Sequence, residues 1–400
     1  MVDVFLNKYM NRNISLLYIF SGLMWARFYI PVIALFYIAS QVSVYEFTII
    51  LSVFALVTLL LEIPSGIVAD FLGKKNTLII STCLYLAELV IVSFANGFWP
   101  FLVAKIISGI GVSLASGTGA ALLYDSLKKT GRIKEHKKIS GIQFTIRYVS
   151  MGLVFTVGAF IFSFSVKMPA IISIPFIFLG LVLLFFIKEP FKTVKKFNYV
   201  NSLIHFKQGL KEFKFNENLR IFAFFSLIVG SIITIIQSTS SLFFEKIMIP
   251  VSLIGIISFI AAIVTAFMSK QSDHIEKNLK MKHSIYFIQF FIFLCVFLMS
   301  FMFPWWGVFF YLVLCGVNGF FEVIINHYVN ELVASENRAT MLSINNFFVH
   351  IGIFVLYPVF GVLTERFSMS LALLLFAVLF LVYSLVLNFS SDKLRFGKKV

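Results

Sequence analysis

The stretch from Tyr45 to Lys75 reads YEFTIILSVFALVTLLLEIPSGIVADFLGKK. Residues 45–69 form a nearly unbroken apolar run, and a short polar break with Asp70, Lys74 and Lys75 closes it. About 20 apolar residues cross a bilayer. Continuous apolarity of this length is helical, because lipid offers the backbone no hydrogen-bond partner and a barrel strand would alternate. The same unit, an apolar run and then a polar break, recurs along the chain. Spans are expected near 14–39, 45–69, 76–95, 99–123, 139–163 and 168–187, then near 221–244, 252–269, 284–303, 306–329, 340–363 and 369–389. Composition agrees: of 400 residues, 60 % are hydrophobic and 13 % charged, whereas soluble domains are about half apolar and a quarter charged.

The net charge of +15 would suggest a nucleic-acid partner in a soluble chain; here its placement carries the meaning. With the N-terminus inside, the cytoplasmic segments hold 27 of the 33 basic residues, and the outer loops hold Lys167, Lys246 and Arg366. Cytoplasmic loops carry such an excess of Lys and Arg. The expectation is a multi-pass protein of the cytoplasmic membrane with both termini inside and no nucleic-acid partner. The first run, 14–39, is too long for a signal h-region and lacks an A-x-A exit. Cys83, Cys295 and Cys315 all sit in apolar runs, which gives neither a disulfide framework nor a metal cluster. No cofactor or metal is expected.

The longest polar gap, 188–220, carries Lys192, Lys195, Lys196, Lys207, Lys211 and Lys214. It reads as a basic linker along the anionic inner leaflet, or as a simple solvated loop, between halves 1–187 and 221–400. The halves echo each other at an offset of 203: Asp70 meets Asp273, Lys74 meets Lys277, and Ser140, Gln143, Phe144 and Arg147 meet Ser343, Asn346, Phe347 and His350. Internal repeats of this kind build secondary transporters.

The segment Glu62-Ile-Pro-Ser-Gly66-Ile-Val-Ala-Asp70-Phe-Leu-Gly73-Lys74-Lys75 resembles the G-x-x-x-D-x-x-G-[RK]-[RK] signature of the major facilitator superfamily, placed as expected between spans two and three. Asp273 to Lys277 resembles a degenerate second copy, Arg338-Ala339-Thr340 enters span eleven in the family manner, and Glu189-Pro190 closes span six. The resemblance covers the whole chain. It implies an all-α membrane protein with twelve transmembrane helices in two pseudo-symmetric six-helix bundles, a monomer that moves a small-molecule substrate. The flavour is closest to bacterial drug-efflux-like members. Two departures keep uptake open. Leu102-Val-Ala-Lys105-Ile-Ile-Ser108-Gly109 has Lys and Ser where the corresponding family motif has Arg and Gln, and span five has Gly152, Gly158 and Ala159 without the antiporter Gly-Pro pair. In the signature, Gly66 and Gly73 would allow close helix approach and a tight turn. Asp70 could face the N-terminus of span eleven and Arg338.

Ionisable residues inside spans imply a partner or a watery cavity. They are Arg27 in span one, Glu62 in span two, Glu88 in span three, Lys105 in span four, Arg147 in span five, Glu322 in span ten and His350 in span eleven. Asn318, Glu322, Asn326 and Asn330 recur every four residues, on one helix face; span seven offers Thr234, Gln237, Ser238 and Ser241. In the family, spans one, four, seven and ten line the cavity, so the resemblance puts Arg27, Lys105, Gln237 and Glu322 near the substrate path. Asn318 and Asn326 share the face of Glu322, and Arg147 and His350 lie beside the path. Polar stripes also bond helices together without carrying anything, and Arg27 serves equally well in a structural ion pair. Glu322 is the expected proton carrier, and Glu62 the anchor of the signature loop. Glu88 stays unassigned, because span three is peripheral in the family.

Enzyme motifs are absent: no G-x-x-x-x-G-K-[ST], H-E-x-x-H, G-x-S-x-G or C-x-x-C occurs, and no loop is long enough for a soluble catalytic domain. Energy then comes from an ion gradient or the substrate's own. The reading that follows is proton-coupled export of lipophilic, drug-like compounds. Its alternatives are uptake or exchange of a small organic anion, which the trio Arg27, Lys105 and Arg147 favours, and a transport-dead sensor on the same fold.

Overall fold

A computed structural model describes residues 2–191, 213, 216–333 and 338–391. The linker lysines from Lys192 to Lys214 and the tail beyond residue 391 lie outside the described residues. The described chain is all-helical. Span one comprises α1 (Val2–Leu23) and α2 (Ile33–Ala39), joined through a 3₁₀ turn at Ile30–Val32. Spans two and three are α3 (Val44–Leu72) and α4 (Lys74–Phe94). Span four is divided into α5 (Phe98–Ala115) and α6 (Thr118–Lys129), and α7 (His136–Phe162) and α8 (Met168–Phe186) complete the first six. Span seven is α9 (Glu217–Ser238), extended by α10 (Ser240–Lys246); α11 (Val251–Met299) carries spans eight and nine. Spans ten to twelve are α12 (Pro304–Glu331), α13 (Arg338–Arg366) and α14 (Met369–Ser391). Eleven stretches among the described residues are long and apolar enough to cross a membrane. With the divided first span they make the twelve-span, two-bundle architecture. Trp99, Trp305 and Trp306 stand exposed at span ends, the position of an interfacial aromatic belt.

Three elements differ from a plain reading of apolar runs. A continuous helix over 14–39 is not formed; the backbone leaves the helix after Leu23 and re-enters it at Ile30. Proline inside a helix loses its i−4 hydrogen bond and clashes with that carbonyl, so Pro31 works against a helix through Arg27. The expected loop at 270–283 is helical backbone within α11. Thr265 donates to the Cys315 carbonyl (3.0 Å) and Ser269 to that of Gly319 (2.9 Å), while Phe287 packs on Phe320 at 5.5 Å. Eighteen residues of straight helix would separate 269 from 287 by about 27 Å, so the chain doubles back between them. Span four breaks at Ser116–Gly117, where Gly117 has φ +71.

The chain divides into two compact units. The first holds Met1–Val42, Val53–Tyr199 and Val251–Phe259; the second holds Ser43–Ser52, Val200–Pro250 and Ile260–Val400. Each unit takes in the start of a span from the other half of the sequence. In the second, the Ser52 hydroxyl donates to the Phe354 carbonyl at 2.6 Å. In the first, Gly255, which is Ser52 advanced by 203, lies against the Phe155 carbonyl of span five.

Candidate functional site

The break in span one organises the first unit. The Phe28 N–H, released from the helix ladder, donates to Ser173 Oγ of α8 at 3.0 Å, and that hydroxyl donates to the Pro169 carbonyl at 2.7 Å. Gly158 of α7 packs so tightly on the same segment that a Cβ there would sit 1.9 Å from the Phe28 carbonyl oxygen. Irregular backbone at membrane depth persists where protein holds it and a cavity adjoins it. Both conditions are met here, and the segment carries Trp25, Arg27 and Tyr29.

Glu88, fully buried on α4, gathers the cations. Lys105 Nζ donates to Oε1 at 2.7 Å, the Tyr29 hydroxyl donates to Oε1 at 2.8 Å, and Ser108 donates to Oε2 at 2.8 Å. Arg27 Nη1 lies 3.6 Å from Oε2, with its guanidinium 4.0 Å over the Tyr85 ring. One carboxylate thus serves two cations. Lys105 is buried in this cluster and is not among the residues lining the adjacent cavity.

That cavity has a volume of 570 Å³, and its wall includes Trp25, Arg27, Tyr85, Gln143, Phe144 and Arg147. No carboxylate lines it among the described residues. The Arg147 guanidinium sits 4.4 Å over the Trp25 indole and makes no ion pair among the described residues. The Nε atoms of both Arg27 and Arg147 are buried without a hydrogen-bond partner. Arg27, Lys105 and Arg147 against Glu88 leave a net charge of +2 in and beside a mostly apolar chamber.

In the second unit, Asn318 Nδ2 donates to Glu322 Oε1 at 3.2 Å, and Glu322 makes no ion pair among the described residues. Gln237 Nε2 points at Cys315 Sγ (3.8 Å), Ser238 and the Tyr357 hydroxyl share a 2.6 Å bond, and His350 Nδ1 is buried without a partner. Asn326 is exposed.

The signature loop is built differently from a simple charge bias. Gly73 adopts φ +85, a conformation that only glycine takes without strain, and this turns the chain into α4. The Glu189 carboxylate then accepts from the Lys74 and Lys75 backbone N–H groups at 2.9 and 2.8 Å, capping the positive helix end. The Lys74 ammonium pairs with Asp125, and Lys75 Nζ donates to the Phe185 carbonyl at 2.9 Å. Ser65 donates to the Glu62 carbonyl at 2.9 Å. A Cβ at Gly66 would meet nothing within 4 Å among the described residues, so the close approach expected there is not seen. Asp70 and Asp273 are exposed, Arg338 opens α13, and its side chain lies outside the described residues.

Comparison with known proteins bears on this architecture directly. The sequence model of the Major Facilitator Superfamily matches residues 14–355. The chain belongs to the major facilitator superfamily. Its members are transporters, so the protein is a multi-pass membrane transporter and not of an enzyme family. An "Uncharacterized transporter" of Buchnera aphidicola subsp. Schizaphis graminum is 31 % identical over 88 residues, which is 22 % of this chain and 22 % of that relative. Among solved structures, the nucleoside transporter NupG superposes with a TM-score of 0.79 at 16 % identity, covering 97 % of this chain and 100 % of that one. A bacterial homologue of the lysosomal transporter Spinster, inward-facing and unoccupied, reaches 0.71 at 14 % identity, covering 98 % and 97 %. A D-xylose–proton symporter reaches 0.71 at 12 % identity, covering 94 % and 96 %. At these identities the likeness concerns the fold alone.

Sequence reasoning named Glu88 but left it unassigned, and it missed the roles of Tyr29, Ser108 and Tyr85 in the first unit and of Glu189 and Asp125 as partners of the signature lysines. A signal existed for Glu88: a carboxylate in an apolar span needs compensation, and cations stood unpaired in spans one and four.

Proposed function

We propose that the protein is a proton-coupled secondary transporter of small organic anions with an apolar, ring-bearing body. The cavity holding Arg27 and Arg147 is the binding site, and Glu322 carries the proton. The observation that carries this reading is Arg147: a guanidinium at the wall of a chamber that no carboxylate lines among the described residues, while Arg27 shares Glu88 with Lys105. A planar guanidinium fork matches a carboxylate or phosphate bidentately, and an anion neutralises charge that is costly to leave unpaired at this depth. Trp25, Tyr85 and Phe144 suit an apolar body. The basic loops support a cytoplasmic side for both termini, and the monomer works by rocking of halves 1–187 and 221–400, linked through 188–220. A second reading, proton-coupled export of lipophilic drug-like compounds, draws on the apolar wall of Phe20, Met24, Trp25 and Phe144.

The test is a transport screen in proteoliposomes, with radiolabelled organic anions against lipophilic cations. Anions are expected to be taken up by the wild type. Arg147→Met should weaken their binding about 10- to 100-fold, the range for a lost charge-assisted hydrogen bond; Arg147→Lys should recover part of it. Lipophilic cations moved equally by the wild type and Arg147→Met would overturn the anion reading and favour the drug exporter.

A further inference from the structure

A second cavity, of 230 Å³, lies in the second unit between spans nine and twelve, and its lining includes Gln289, Phe290, Phe293, Leu381, Ser384 and Leu385. The two spans run side by side, since the Ser370 hydroxyl at the start of α14 donates to the Ser300 carbonyl just past the end of α11. The walls face outward: Phe290 is 58 % exposed and Leu385 49 %. The floor does not. Gln289 and Ser384 are only 5 % and 7 % exposed, yet Gln289 Nε2 and Ser384 Oγ, both buried, have no hydrogen-bond partner. Two buried donors in one apolar groove, both unsatisfied, are costly to leave so. A groove open to hydrocarbon has no water to satisfy them.

We propose that this groove binds a membrane glycerophospholipid. Its ester carbonyl accepts from the Gln289 amide and the Ser384 hydroxyl, and its acyl chain lies over Phe290, Phe293, Leu381 and Leu385. The depth fits. Lys282 and His283 stand at the polar end of span nine, with the Lys282 ammonium 5.7 Å from the Tyr286 ring. Seven helical residues, about 10 Å, separate Lys282 from Gln289. The polar zone of one leaflet is roughly 5–7 Å thick, so a phosphate level with Lys282 puts the ester region about 3–5 Å above Gln289, less than one helical turn. A free fatty acid has a carboxylate at the interface and no ester at this depth, so the diester is the occupant that uses both donors.

The experiment uses the full chain in nanodiscs of phosphatidylethanolamine and phosphatidylglycerol, doped with phosphatidylglycerol bearing a diazirine high on one acyl chain. After illumination, peptides are mapped by mass spectrometry. Labels are expected to concentrate on 286–293 and 381–388. Gln289→Leu or Ser384→Ala should each lower that labelling about fivefold, as one lost hydrogen bond implies, while transport stays intact because neither residue touches the arginine cavity. An ether-linked analogue without ester carbonyls should label the groove as weakly as the variants. Labelling spread evenly over other outward faces, such as that of Val355, overturns the proposal. So does labelling that survives both substitutions, or equal labelling by a diazirine fatty acid alone.

Discussion

Removing the Glu88 carboxylate while keeping its shape isolates what the ion cluster contributes. Glu88→Gln loses the charge that strengthens the bond from Lys105 at 2.7 Å and attracts Arg27 at 3.6 Å, and it turns an amide N–H₂ toward groups that donate to the native carboxylate. Lys105 and Arg27 have side chains only 7 % and 12 % exposed, so neither charge is fully hydrated in place. Breaking a buried pair by removing one partner costs about 3–5 kcal/mol, mostly from the charge left behind. Lys105→Met is milder. It leaves Glu88 with Arg27, Tyr29 and Ser108, and about 1–3 kcal/mol is the expected loss of one bond to a charged group. The double variant carries the argument, because with Glu88 already neutral, removing Lys105 takes away an unpaired cation. The pair should therefore cost about 2 kcal/mol less than the sum of the singles, well above the roughly 0.3–0.5 kcal/mol scatter of independent sites. Equilibrium unfolding of the four proteins in mixed SDS micelles measures the cycle. Additivity of the two singles would refute the cluster as an energetic unit. Transport by a fully stable Glu88→Gln protein at the wild-type rate would show that holding Arg27 is irrelevant to function.

Gly158→Ala places a methyl group 1.9 Å from the Phe28 carbonyl oxygen and should cost about 1–3 kcal/mol or more by overpacking, with loss of transport. Gly141→Ala on the same helix, where a Cβ meets nothing within 4 Å, should instead be neutral or stabilise by up to about 1 kcal/mol; equal effects in the same unfolding assay would remove the close-approach argument. Glu322→Gln should abolish uphill, pH-driven transport and spare counterflow exchange, which needs no net proton movement; concentration of substrate by this variant would leave the carboxylate without its proton role. For topology, a cysteine at Lys128 in a background without Cys83, Cys295 and Cys315 should resist an impermeant thiol reagent in intact cells, and one at Asn96 should react; the reverse pattern would invert the orientation.

The sequence by itself determined the spans and the family. A bilayer leaves an apolar run of about 20 residues no option but to satisfy its backbone internally, whatever its neighbours are, so stretches such as 45–69 declare themselves. The signature at 66–75 did the same through its resemblance to the family motif, which put a turn glycine at Gly73. Even the break at Arg27 had a local cause in Pro31, four residues on, which a count of apolar residues passes over. The ion cluster had no such local cause. Glu88 of span three meets Lys105 of span four and both Tyr29 and Arg27 of span one. Which helix faces meet is set by packing, here by Ser173 and Gly158 holding the unwound segment in place. The same holds for Arg147, whose lack of a carboxylate partner among the described residues is a property of the assembled first unit and not of span five. A charge inside a membrane announces that it needs a partner, but the partner lies wherever the tertiary fold brings a second chain segment within about 4 Å, a distance at which ion pairing takes hold.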